Sequence, residues 1–256
     1  VTSPSAVPVV TGLPRYAAAV AELAPRVRLV RERRGAVVVV DGTRRWWLDA
    51  AEAASAGAVG VVVAQPRLAP PADALEDVRI PLVIARRLLR ADVGADAGPD
   101  RAPRLIVADA DGPAHGLATW LRDVVGWCRV LAGGPARIDR AARSAGALLA
   151  AGSTPAGVPV SITVTTRDVG AAAACALVGI GAERTEVSWD EAAGSVDVAR
   201  IDVDGRHTAV PSREGAERLA LRRALGAVVA GSAPDDLRDL RDDARTVEDM
   251  LRIAGS

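Results

Sequence analysis

The chain has 256 residues, half of them hydrophobic, and its 32 basic residues balance 32 Asp and Glu. A chain of this length buries roughly three-quarters of its unfolded surface, which excludes global disorder, and its zero net charge excludes a global field toward nucleic acid or membrane. Every basic residue is arginine and phenylalanine is absent. Schiff-base and ε-ammonium chemistry are therefore ruled out, and the core must be built from Val, Leu, Ala, Ile and five Trp.

The cysteines, Cys128 and Cys175, stand far apart without metal spacing, which points to a reducing compartment rather than a disulfide framework. The opening residues lack the charged region and apolar run of a signal peptide. No stretch approaches the roughly 18 apolar residues of a membrane helix. The expectation is a cytoplasmic protein.

In chain order, Val7–Val10 reads as a strand and Pro14–Leu23 as a helix with proline at its start. Val27–Val30 and Ala36–Val40 follow as strands, the latter an unbroken apolar run suited to burial on both faces. Trp46–Ala56 is helical and stops at Gly57; Val59–Val63 and Ile80–Ile84 are further strands. This alternation predicts a parallel, doubly wound sheet. Arg86–Arg104 reads as a linker or inserted loop.

From Leu105 the pattern changes. Gly116–Ala132 is one long helix stopped by Gly133-Gly134-Pro135. Val158–Thr166, Ala171–Ile180, Thr185–Trp189 and Val196–Val203 read as antiparallel strands, and Asp204-Gly205 as a hairpin turn. Helices over Glu214–Ala230 and Asp236–Ile253 close the chain. The expected organisation is a parallel-sheet domain over residues 1–104, then an α+β domain with a mainly antiparallel sheet over 105–256.

This order of elements, with the strings Gly60–Pro66, Ile80–Arg87, Gly112–Pro135 and Ser195–Pro211, resembles the glucose–fructose oxidoreductase/inositol dehydrogenase (Gfo/Idh/MocA) family over nearly the whole chain. The resemblance implies a Rossmann-like domain joined to an antiparallel sheet that commonly forms a dimer face. It also implies NAD(P)-dependent oxidation of a sugar, polyol or related alcohol.

The departures from the family pattern are specific. A pyrophosphate-binding turn needs G-x-G-x-x-G, but Thr11–Tyr16 keeps only Gly12 and carries Pro14 where a backbone donor is required. Only Arg31–Ala36 separate two strands between which the family fits another helix and strand. Glu32 stands where a ribose-binding acid would lie, within a charged loop. The resemblance places the family's relay lysine at Gln65, its His-x-x-Asp pattern at Trp120 and Asp123, and a further histidine near Trp46. Glutamine and indole do not move protons near neutral pH. His115 reads as a loop or cap residue, and His207, two residues past the hairpin turn, as exposed.

Other chemistries have weaker marks. The carboxylates of Asp109–Asp111 and Asp235–Asp243 lack converging metal-ligand spacing, the latter interleaving with arginines as a surface helix. Gly152-Ser153-Thr154 is not a hydrolase elbow. Arg137, Arg140 and Arg143 lack the stacking aromatics of a nucleic-acid site. The sequence therefore predicts a family member without hydride transfer, metal or cofactor, acting as a scaffold or binding subunit. Its partner would be a copy of itself or a catalytic paralogue, met through the antiparallel sheet. The alternative is an active oxidoreductase, with NAD(P) as cofactor.

Overall fold

The structure, a computed structural model, describes residues 6–90, 92–94, 103–167, 172–209 and 214–255. The chain divides into two compact units, Val1–Arg87 with Arg213–Arg241, and Leu88–Ser212 with Asp242–Ser256. Much of the segment expected as a linker, Arg86–Arg104, lies outside the described residues.

The first half of the chain gives β1 (Val7–Val10), α1 (Pro14–Glu22), β2 (Val27–Leu29), β3 (Val37–Asp41), α2 (Trp46–Ser55), β4 (Gly60–Ala64) and β5 (Leu82–Ala85). The strands form one parallel sheet in the order β2-β1-β3-β4-β5. Alternate β3 valines enter two cores: Val37 and Val39 join Tyr16, Ala19 and Val20 of α1, while Val38 and Val40 join Trp46, Ala50 and Ala53 of α2. Burial on both faces explains why β3 and β4 read as unbroken valine runs.

Residues 30–36 alone connect β2 to β3, with no helix between them. The full dinucleotide-binding sheet places two strands beyond the first on this side; here only β2 lies beyond β1. The shortening expected from the sequence is thus the loss of one edge strand and its crossover helix.

The second half gives β6 (Leu105–Pro113), α3 (Leu117–Ala132), β7 (Arg137–Ser144), β8 (Ala147–Ser153), β9 (Pro159–Arg167), β10 (Ala174–Ile180), β11 (Arg184–Asp190), β12 (Ser195–Asp202) and β13 (Gly205–Thr208). Their order is β13-β12-β11-β10-β6-β9-β8-β7, antiparallel except for the β6–β9 pair. Helix α3 buries Leu121, Val124, Trp127 and Leu131 with Ile106, Ile162 and Leu177 of the sheet. It ends at Gly133 in the left-handed region (φ 70°), where Gly134 N–H caps the Arg129 carbonyl at 3.1 Å. The Trp127 indole donates to the Leu88 carbonyl at 2.8 Å.

Two closing helices follow, α4 (Ala216–Ala230) and α5 (Asp236–Ala254). Helix α4, expected in the second domain, instead packs Ala220, Leu221 and Ala224 on the parallel sheet. The sequence boundary at 104 therefore misplaces this helix: its apolar stripe lies beside α1 on the same face and covers β4 and β5. At the start of α5, Asp236 accepts the β5 backbone N–H of Ile84 at 2.9 Å and pairs with Arg223 at 2.7 Å. A carboxylate read as surface decoration thus satisfies a donor of the edge strand.

Two further differences have local causes. Strands β7 and β8 were not predicted, because their sequences RIDRAARS and ALLAAGS carry few β-branched residues. The last hairpin turns on Val203-Asp204, one residue earlier than expected, since Asp202 pairs with Gly205 and its carboxylate accepts the N–H groups of Asp204 and Gly205. The outward face of β9 is Ser161, Thr163 and Thr165, as its alternation predicts.

Asp243 of α5 is buried and holds Arg129 of α3 through two hydrogen bonds, at 2.9 and 3.3 Å. Removing one partner of a buried pair leaves the other charge uncompensated. Asp243→Ala is expected to lower stability by about 3 kcal/mol, measured by urea unfolding, and Val229→Ala on the exposed end of α4 by under ~0.5 kcal/mol.

Candidate functional site

In a doubly wound sheet, ligands meet the carboxyl ends of the strands where the order reverses. Here that point lies between β1 and β3, because the chain passes from β1 to β2 on one side and then to β3 on the other. The loops after β2, β1, β3 and β4 bring Glu32, Gly12, Gly42 and Gln65 to this one edge.

The turn after β1 is short of two backbone donors. Leu13 N–H is bound by the Thr11 hydroxyl at 3.0 Å, and Pro14, the first residue of α1, has no N–H. A side chain at Gly12 would meet open space, and its backbone lies outside the left-handed region. No neighbouring protein atom therefore requires glycine at this position. The residues present do not fit the backbone grip on a pyrophosphate that the resemblance implies. Glu32 is exposed, two residues past the last β2 pairing.

After β3, the chain is shaped by packing. Gly42 sits so close to β4 that any side chain would collide with the Ala64 carbonyl and Pro66. Its N–H donates to Ala64 at 2.8 Å and its carbonyl accepts Arg67 N–H at 2.9 Å. Asp41, which sequence reasoning passed over, accepts Thr43 N–H at 3.0 Å; the Asp-Gly pair closing a valine strand was its signal. Trp46, at the approximate position of a family histidine, is fully buried and donates to the Leu68 carbonyl at 2.9 Å, tying the β3 and β4 loops together. Its ring meets Trp47 edge-on. Gln65 is exposed, with φ 49°, a strained backbone for a side-chain-bearing residue.

In the second unit, Trp120 and Asp123 lie one turn apart on α3. The Trp120 ring is buried over Gly112 of β6, where a side chain would touch both the ring and Ala173, and its indole donates to the Pro113 carbonyl at 3.1 Å. Trp120 is a packing residue with its one donor satisfied. Asp123 is half-buried and engaged within the protein. His115 is exposed in the loop before α3. His207, on β13, lies 3.5 Å from Asp202, whose carboxyl is held below its usual range mainly by the Asp204 N–H. Burial raises the Cys128 thiol to about 12 and the Cys175 thiol well above its usual value, so neither is a nucleophile. No three His, Cys, Asp or Glu among the described residues converge as metal ligands. No described helix is long and apolar enough to cross a membrane.

The outward face of the second sheet is the other candidate surface. Register places Thr163, Asp109, Ala176, Ser188 and Asp197 in one row, and Thr165, Asp111, Ala174, Asp190 and Ser195 in the next. A depression of about 470 Å³ lies among Asp109, Asp111, Thr163, Thr165 and Arg167. Arg167 pairs with Asp111 at 2.7 Å, whereas Asp109 and Asp197 have no ion pair among the described residues.

The sequence matches no protein-family model and no curated protein. Solved structures do share its fold. UDP-N-acetylglucosamine 3-dehydrogenase from Acidithiobacillus ferrooxidans superposes with a TM-score of 0.68 at 15% identity, covering 98% of each chain. Levoglucosan dehydrogenase in complex with NADH and levoglucosan gives 0.66 at 13% identity over 97% of this chain and 96% of that one. A dehydrogenase from Clostridium difficile gives 0.68 at 7% identity over 98% and 99%. The chain therefore has the two-domain fold of the Gfo/Idh/MocA dehydrogenases, a Rossmann-like parallel sheet and a mainly antiparallel sheet.

Two glycines at this edge separate shape from binding. Gly12→Ala is expected to change stability by less than ~0.5 kcal/mol, whereas Gly42→Ala, which must displace the β4 backbone, costs about 1–3 kcal/mol; thermal unfolding of both variants distinguishes them. Both thiols should react with a disulfide reagent at neutral pH only after unfolding, followed by the absorbance of the released thiolate.

Proposed function

We propose that this protein keeps the Gfo/Idh/MocA scaffold without its own hydride transfer and serves as a partner or binding subunit. The observation that carries this reading is the turn after β1, where the Thr11 hydroxyl holds the Leu13 N–H and Pro14 supplies none. Hydride transfer needs a positioned dinucleotide and a group that moves the hydroxyl proton. The first is weakened by that turn and by the missing edge strand. The second is weakened because Gln65 does not titrate and Trp120 spends its indole on Pro113.

The structural neighbours include proteins in complex with NADH, which gives the second reading its content: an NAD(P)-dependent oxidoreductase acting on a sugar or related alcohol. Shared fold at this identity does not carry an activity across, and nothing in the turn favours that reading.

The partner is met through the outward face of the second sheet. Its polar rows place unpaired Asp109 and Asp197 toward one side, and Arg140 of β7, whose register mate is Ala151, toward the other. A face with acid at one side and base at the other is self-complementary about a two-fold axis. Association would therefore be salt-sensitive, unlike that of an apolar patch.

Calorimetric titration with NADH and NADPH is expected to show no binding at tens of micromolar, roughly the scale of ordinary cofactor affinity. Micromolar binding, or NAD(P)H turnover with any sugar, overturns the reading. Light scattering should report a dimer that dissociates in high salt and in Asp109→Arg. A monomer at high protein concentration, with no partner recovered on co-expression with neighbouring genes, removes the scaffold role.

A further inference from the structure

The chain is neutral as a whole, yet its arginines gather at one edge of the parallel sheet. Arg31 follows β2, Arg15 lies in the first turn of α1 after β1, and Arg44 and Arg45 follow β3. Strands β2, β1 and β3 are neighbours, so these loops span about two strand spacings, roughly 10 Å. All four arginines are exposed. Arg31, Arg44 and Arg45 have no ion pair among the described residues, and Arg15 reaches Glu217 only at 3.9 Å. Arg67, Arg86 and Arg87 follow β4 and β5 and are engaged within the protein. The carboxylates on the same rim are Glu32, beside Arg31, and Asp41, which already accepts Thr43 N–H.

We infer that this edge binds a compact polyphosphate anion through the side chains of Arg15, Arg31, Arg44 and Arg45, in place of the backbone grip that the β1 turn has lost. The inference rests on the reading that this turn does not hold a dinucleotide. Arginine presents a planar fork that matches phosphate oxygens in pairs, and its length lets it hold a phosphate without close backbone approach. Four forks spread over three loops suit several linked phosphates better than a single one. Helices α1 and α2 both begin at this edge without a side-chain cap, and their positive ends add to the same field. Nucleic acid is disfavoured because Tyr16, Trp46 and Trp47, the aromatics of these elements, are buried and offer no stacking platform.

The test is calorimetric titration of the full chain with inorganic tripolyphosphate at low ionic strength. Saturable binding that weakens with salt is expected. R44A/R45A should lose at least ~tenfold in affinity, as removal of charge-assisted bonds implies, and should keep a wild-type circular dichroism spectrum because both residues are exposed. R26A/R79A, which removes exposed arginines before β2 and β5 at the opposite edge, should bind as wild type. The inference is overturned if tripolyphosphate does not saturate, if R26A/R79A loses as much as R44A/R45A, or if a single-stranded oligonucleotide binds more tightly. Tight NADH or NADPH binding that tripolyphosphate does not displace would instead sink the cofactor-free reading, so the two failures are distinguishable.

Discussion

A parallel strand cannot be reached by a hairpin, so each step across the first sheet requires a crossover. Between β2 and β3 the chain makes that step in residues 30–36 without a helix. Much of the first unit follows from this economy. The sheet stops at β2, a three-residue edge strand, and Leu29 on it remains half exposed. The switch point lies among loops that expose Arg15, Arg31, Arg44 and Arg45. In the β1 turn the Leu13 N–H is satisfied locally by the Thr11 hydroxyl, and Pro14 has none to satisfy.

The second unit has the opposite character. Its sheet is wide, and its register fixes every side chain to one face or the other. The inner row is a continuous apolar core under α3 and the later turns of α5, pinned by the Arg129–Asp243 pair. The outer face mixes Ser, Thr, Ala and aspartates with the aliphatic Val107, Leu149 and Val178.

Most elements were legible in the sequence because each had a local cause. Valine runs gave β3 and β4, alternation gave β9 and β11, Pro14 marked the start of α1, and Gly133 marked the end of α3. What was hidden depended on distant partners. Helix α4 has the stripe of any amphipathic helix, and nothing local says which sheet it covers. Strands β7 and β8 are held by pairing to β9, not by propensity. At the candidate site, the sequence showed the lost glycines and the displaced Gln65 and Trp120. It did not show that Thr11 captures Leu13 N–H, or that Trp120 is locked over Gly112, because both depend on side-chain geometry.

The placement of α4 has a consequence for biogenesis. The valine-rich sheet of the first unit is complete in sequence by Arg87, but the helix that seals one of its faces lies within Arg213–Arg241. On the ribosome, residues 88–212 must be made in between, on the order of ten seconds of elongation. During that interval Val62 and Val83 of β4 and β5, beside the valines that α1 already covers, face either water or a holding chaperone until Leu221 covers them. The first unit is therefore finished only after the whole of residues 88–212 has been made.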